Sequence, residues 1–340
     1  MKKILILGVN GFIGHHLARR ILSTTQWQIT GMDIGSDKIT SLLKNSNFIF
    51  QKGDITRRMK WIEQQVRVND VVLPLVAIAT PATYVKDPLR VFELDFEANL
   101  PIVRACVRHG KRLIFPSTSE VYGMCMDREF DPDTSQLVLG PINKPRWIYS
   151  CAKQMMDRVI WAYGMQHHLD FTLFRPFNWI GPRQDDLHAS KPGSARVVTQ
   201  FLGHIVRGQP IQLVAGGAQR RSFTYIDDGI DALMRILKNP RGVASGKIYN
   251  IGNPGNNLSV RQLAKLMLDI ARADDDLSER VKKVKLVSTP ALKYYGEGYE
   301  DMQHRVPKID NTCRDLGWKP RTGMGAALGK IFDANRAHFK

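Results

Sequence analysis

Tyr149 and Lys153 stand four residues apart in Trp147-Ile148-Tyr149-Ser150-Cys151-Ala152-Lys153, a spacing that can turn a phenol into a base. On a helix, residues i and i+4 leave from one face. A free phenol has a pKa of about 10 and accepts protons poorly at neutral pH. A neighbouring ammonium favours the phenolate and lowers that value. A drop of about three units takes roughly 4 kcal/mol of differential interaction, with Lys153 and a cationic cofactor ring as the expected sources. The product is a general base for a sugar or alcohol hydroxyl. Ser117-Thr118-Ser119-Glu120 lies about one βα unit upstream. Chance produces Tyr-x-x-x-Lys often, so the weight of the pair depends on what precedes it.

Lys2-Lys3-Ile4-Leu5-Ile6-Leu7 reads as a buried first strand. It runs into Gly8-Val9-Asn10-Gly11-Phe12-Ile13-Gly14 and then an amphipathic stretch from Phe12 to Leu22. Glycines here allow the tight turn and let backbone approach a pyrophosphate. The free N–H groups and dipole of the helix start then hold the phosphates. Asp33 closes the second strand, 19 residues past Gly14. A carboxylate there accepts from both ribose hydroxyls and repels a 2′-phosphate, which favours NAD over NADP. Asp54 and Ile55, after the next strand, are candidates for the adenine side. The G-x-x-G-x-x-G spacing resembles that of the short-chain dehydrogenase/reductase superfamily, whose base is a Tyr/Lys pair.

These residues need a scaffold, and the pattern supplies one. A helix is expected near Met59–Val68, a strand at Val71–Leu75, one helix from Leu89 to His109 and a strand at Arg112–Pro116. The Tyr149 helix runs to about His168, followed by a strand at Phe171–Arg175. Such alternation predicts an α/β fold with a doubly wound parallel sheet. From Asn178 onward Gly, Pro and Arg increase, with shorter helices near Ala195–Arg207, Asp227–Leu237 and Val260–Ala271. The expected division is a Rossmann domain over 1–177, with 222–252 returning to it. A smaller substrate lobe, mainly 178–340, lies over the carboxyl ends of the strands.

The chain has 340 residues, 43% of them hydrophobic and 24% charged, ordinary for a globular protein. No apolar run is long enough to span a membrane, and the first strand is too short for a signal peptide. The four cysteines show no C-x-x-C spacing, which favours reduced thiols and a cytoplasmic location. A formal charge of +17 suits a polyanionic small molecule. The Lys and Arg residues are scattered rather than clustered, so no nucleic-acid partner is expected. No metal site is expected either: His15-His16 and His167-His168 are adjacent pairs whose side chains leave a helix in different directions.

Along essentially its whole length the sequence resembles the extended short-chain dehydrogenase/reductase family of nucleotide-sugar enzymes. Within that family it resembles the decarboxylating dehydrogenase half of the bifunctional polymyxin-resistance protein ArnA, which acts on UDP-glucuronic acid. The resemblance rests on Val71 through Pro81, Phe115 through Gly123, Lys144 through Ser150, Phe174 through Pro182, and Tyr294-Tyr295-Gly296. It implies that Ala79, Tyr84, Thr118, Ser119, Arg146, Asn178, Tyr299 and the stretch Gln212 to Arg221 contact the UDP-sugar. Gly216-Gly217 permits close backbone approach there, and Arg220 and Arg221 can fork onto a diphosphate. It also implies a homodimer, in which the Leu89–His109 and Ser150–His168 helices pair with their symmetry mates.

The implied reaction oxidises C4 with NAD and creates a ketone β to the C6 carboxylate. A β-keto acid loses CO₂ readily, and the protein must stabilise the resulting oxyanion. The family assigns Glu120 as base and Arg305 as proton donor; a permanently charged guanidinium is better suited to clamp a carboxylate or stabilise the enolate. Four other readings stay open. A UDP-xylose synthase returns the hydride to C4. A UDP-apiose/xylose synthase carries cysteines where this chain has Ala79 and Ser119. A UDP-hexose 4-epimerase needs no carboxylate clamp, and a non-catalytic NAD-binding regulator needs no phenolate base.

Overall fold

The computed structural model describes residues 1–189, 193 and 195–339. Seven strands form its main sheet: β1 (Lys3–Leu7), β2 (Gln28–Asp33), β3 (Phe48–Lys52), β4 (Val71–Pro74), β5 (Arg112–Pro116), β6 (Phe171–Pro176) and β7 (Lys247–Ile251). Their spatial order is β7-β6-β5-β4-β1-β2-β3, and every pairing is parallel. The first strand shows why its sequence is a continuous apolar run. Ile4 and Ile6 pack into one apolar cluster and Leu5 and Leu7 into another, so both faces are covered.

Helices α1 (Phe12–Thr24), α2 (Met59–Val68), α3 (Leu100–Arg108) and α4 (Ile148–His167) cover the sheet, followed by α5 (Val197–Val206), α6 (Ile226–Lys238) and α7 (Val260–Arg272). α2, α3 and α4 lie on the Leu5 side, while α6 packs beside α1 on the other. Within 222–252, α6 and β7 both join the sheet unit, β7 by pairing with β6. Strand order reverses between β1 and β4, so the crevice at their carboxyl ends is the place where such sheets bind ligands.

Residues after Asn178 contribute three short pairings over that edge. Trp179–Ile180 pairs with Thr224–Tyr225, Arg220–Ser222 with Asn257–Ser259, and Ile211–Val214 with Leu286–Thr289. α7 starts at a capping box, Ser259 with Gln262. Among the described residues no helix is long and apolar enough to cross a membrane.

The single helix expected over Leu89–His109 is three pieces. An α-helical Pro88–Phe92 runs into a π-helical turn at Glu93–Glu97, and α3 begins at Leu100. The buried Asn99 fixes the junction by donating from Nδ2 to the Leu94 and Val76 carbonyls. Pro101, which has no N–H to give, sits at the start of α3, where none is required.

Candidate active site

One cavity of about 580 Å³ runs from the β1–α1 turn to the lobe above it. At its nucleotide end Gly8 has φ +85°, and its N–H donates to the Met32 carbonyl of β2. A Cβ on Gly14 would lie 2.3 Å from the Gly8 oxygen. Gly11 caps α1 without a side-chain acceptor, so the N–H groups of the first turn face the cavity edge unclaimed by a cap. Gly8, Gly11, Phe12, Ile13 and Gly14 line the cavity. Close-packed glycines beside the free N–H groups of a helix start are the kind of surface that receives a phosphate.

Asn10 and Asp33 stand just outside the lining and brace it. Asp33 accepts from the Asn10 N–H at 2.9 Å, and the Asn10 side chain bridges Asp37 and the Lys38 N–H. Burial raises the Asp33 carboxyl above its ordinary value, against the backbone N–H groups of Gly35 and Asn10. Asp54 and Ile55 do not reach the cavity. Asp54 spends its carboxylate on the Thr56 N–H and hydroxyl, a local turn, and Ile55 is buried beside Met32 in the core.

Tyr149, Lys153, Thr118, Ser119, Glu120 and Arg305 all line the same cavity. Lys153 donates to the Pro116 carbonyl at 3.2 Å and forms an ion pair at 3.3 Å with Asp95, a residue with no motif of its own. Burial raises the Tyr149 phenol above its ordinary value, and the Asp95 and Glu120 carboxylates push the same way, against the Thr118 hydroxyl and Arg305. Its ring stacks on that of Tyr84 at 4.6 Å. Thr118 also caps the short turn that carries Glu120, accepting from its N–H.

The end away from the glycine turn, the sugar end in the function proposed below, is a buried charge cluster. Glu120 binds Arg146 Nη1 at 2.7 Å and Arg305 Nη1 at 3.1 Å. Arg221 pairs with Asp301 at 2.5 Å, and Asp301 lies 3.9 Å from Arg305. Burial would raise the Glu120 carboxyl, but the Arg146 and Arg305 guanidiniums overcome it and hold the group down to about 2. Burial pushes Arg305 below its usual value, and Arg221 and Arg146 push the same way against Glu120. Three guanidiniums (Arg146, Arg221, Arg305) thus face two carboxylates (Glu120, Asp301), and Arg305 Nε is buried without an acceptor among the described residues.

Ala79, Tyr84, Arg146, Asn178, Gln212, Arg221 and Tyr299 also line the cavity; Arg220 does not. Neighbours on a strand point to opposite faces. On Arg220–Ser222, Arg221 turns inward and Arg220 turns out to Asn257 and Gln262, so the two cannot fork onto one diphosphate. Lys38, Arg196 and Asp301 are lining residues without a recognisable motif. The His15 and His16 rings lie 4.1 Å apart, closer than the sequence reading expected. His15 Nδ1 is 2.8 Å from the Gly11 oxygen and His16 Nε2 is 3.1 Å from that of Pro182.

Residues 4–252 match the model of the NAD dependent epimerase/dehydratase family. The chain is 61% identical to the PbgP3 protein of Burkholderia pseudomallei over 99% of this chain and 97% of that one, with a TM-score of 0.90. A UDP-glucose 4-epimerase of Thermotoga maritima, solved with UDP-glucose, shares the fold at 23% identity. It covers 99% of this chain and 100% of that one at a TM-score of 0.81. A UDP-glucuronic acid 4-epimerase of Bacillus cereus, solved with UDP-glucuronic acid and NAD, does so at 22% identity, 98% and 99% coverage and a TM-score of 0.81. The glycine cradle, the seven-stranded sheet and the matched residues together place this chain in the NAD dependent epimerase/dehydratase family.

Proposed function

We propose that the chain oxidises and decarboxylates UDP-glucuronic acid to a UDP-4-keto-pentose. One observation carries the choice of a uronate over a neutral hexose: the buried excess of one guanidinium at the sugar end, with Arg305 Nε lacking an acceptor. Each guanidinium has a carboxylate beside it, but three share two, and a substrate carboxylate would complete the balance. In this reading Gly8, Gly11 and Gly14 hold the pyrophosphate and Asp33 the ribose. NAD bound there supplies the acceptor for the C4 hydride.

Tyr149 takes the proton from the C4 hydroxyl, with Thr118 and Ser119 alongside to orient that hydroxyl. Arg305 holds the C6 carboxylate and then opposes the charge of the enolate left by CO₂. Glu120, held down to about 2 between two arginines, is a weak proton acceptor in this arrangement, so its first role is to hold Arg146 and Arg305 in place. Arg221 and Gln212, which line the same cavity, are assigned to the diphosphate and nucleoside part.

Two further features belong to the proposal. Met155, Trp161 and Met165 are exposed on α4, which suits a homodimer formed through that helix, testable by light scattering. The scattered free cysteines suit a cytoplasmic setting. The test of function is incubation with UDP-glucuronate and NAD, following NADH, CO₂ and the sugar product. Equal NADH and CO₂ with a 4-keto-pentose is expected. UDP-xylose without net NADH would replace the reading by that of a xylose synthase, and an epimerised uronate without CO₂ would remove decarboxylation.

A further inference from the structure

Asp95 and Lys153 are among the most buried charged residues of the chain, at 0% and 1% exposure, and they face each other at 3.3 Å. Asp95 lies in the π-helical turn Glu93–Glu97. The wider turn rotates the chain so that Asp95 points inward while Glu93 and Glu97 stay exposed. Its Oδ2 accepts the Ile78 N–H at 2.9 Å, in the loop after β4 that carries Ala79. Among the described residues its Oδ1 has no other partner than the ammonium of Lys153. Lys153 in turn donates to Pro116 at the end of β5 and lies 5.0 Å from the Phe115 ring centroid.

We propose that Asp95 is a positioning residue of the proton-transfer centre: its carboxylate holds the Lys153 ammonium and, by its charge, sets the pH at which Tyr149 accepts a proton. The inference rests on Tyr149 being the base named above. A hydrophobic pair of similar volume would join the same segments at no desolvation cost, so stability alone does not call for an ion pair here. The two charges act on Tyr149 in opposite senses. The ammonium favours the phenolate and the carboxylate opposes it. The other charged groups facing the phenol are Glu120, which also opposes the phenolate, and Arg305, which favours it; the Thr118 hydroxyl and the stacked Tyr84 ring complete its surroundings. Asp95 thus opposes, at the phenol, the effect of the ammonium that it holds in place.

The test uses the full chain with UDP-glucuronate and NAD, measuring initial NADH formation across the neutral and alkaline range. Asp95→Asn keeps an acceptor for the Ile78 N–H and removes the charge. The rising limb of kcat against pH should move down by about one pH unit, while NAD affinity is retained. Asp95→Glu, which keeps the charge, should restore the wild-type limb. Asp95→Ser is the second neutral variant if Asp95→Asn does not fold, and the same displacement is expected of it. A uniform loss of kcat with the limb unmoved, or moved up, overturns the proposal and leaves Asp95 a structural residue. Tyr149→Phe in the same assay separates the two readings. If that variant is dead, an unmoved limb in Asp95→Asn counts against Asp95 alone. If it still forms NADH, the base assignment fails, and the Asp95 proposal with it.

Discussion

At the nucleotide end Gly8, Gly11 and Gly14 act by having no side chains, whereas the sugar end depends on five charged side chains that answer one another. The first arrangement is made of backbone, and any sequence that keeps the turn keeps it. The second is made of pairings that a single substitution unbalances. If the proposed function holds, selection of the substrate belongs at the second end.

Four substitutions break or sharpen that contrast, beginning with the residue between the two ends. Tyr149→Phe removes the proposed proton acceptor and should lower kcat for NADH formation by about 10² to 10⁴, with UDP-sugar affinity little changed. Loss of affinity with kcat retained would move Tyr149 from chemistry to binding. At the sugar end, Arg305→Met should cut CO₂ release by about 10² to 10³, as for other stabilisers of a developing anion. Normal CO₂ release from that variant would mean that the excess charge serves the diphosphate instead.

Glu120→Gln tests the pairing through stability. The folded carboxyl titrates at about 2 and the unfolded one at 4.5, so between those values the unfolded state binds more protons. The contribution of Glu120 is present above pH 4.5 and disappears as pH falls toward 2. Denaturant unfolding should show a gap between wild type and Glu120→Gln on the order of 3 kcal/mol near neutrality, closing through that window. A gap constant with pH would show that packing, not charge, accounts for it. The smallest effect belongs to the backbone-built end: Asp33→Asn should weaken NAD binding about tenfold and relax rejection of NADP. Unchanged affinity for both would exclude Asp33 from the ribose.

The same contrast decided what could be read from the sequence. Ile4-Leu5-Ile6-Leu7 followed by spaced glycines has a local cause for every feature, and the strand, turn and helix lie where the pattern puts them. The sugar end is assembled from residues as distant as Glu120 and Arg305, and only a resemblance to known enzymes pointed to them. Parity along the short strand Arg220–Ser222 would have separated Arg220 from Arg221, but three residues among glycines give too little periodicity to be recognised. Asp95 was hidden for a different reason. Glu93, Asp95 and Glu97 alternate with apolar residues, and nothing in an acidic side chain says which one a π-helical turn will bury.

The orphaned Nε of Arg305 has a consequence for how such a protein behaves in the test tube. If three guanidiniums sharing two carboxylates receive a substrate carboxylate, small anions should compete for the same place. Chloride, inorganic phosphate and carboxylate buffers should all raise the apparent KM, more steeply than their ionic strength accounts for. Bicarbonate, the hydrated form of the CO₂ released in the proposed reaction, combines the right charge with the right size. Product inhibition by bicarbonate would make the rate of uronate turnover answer to dissolved carbon dioxide.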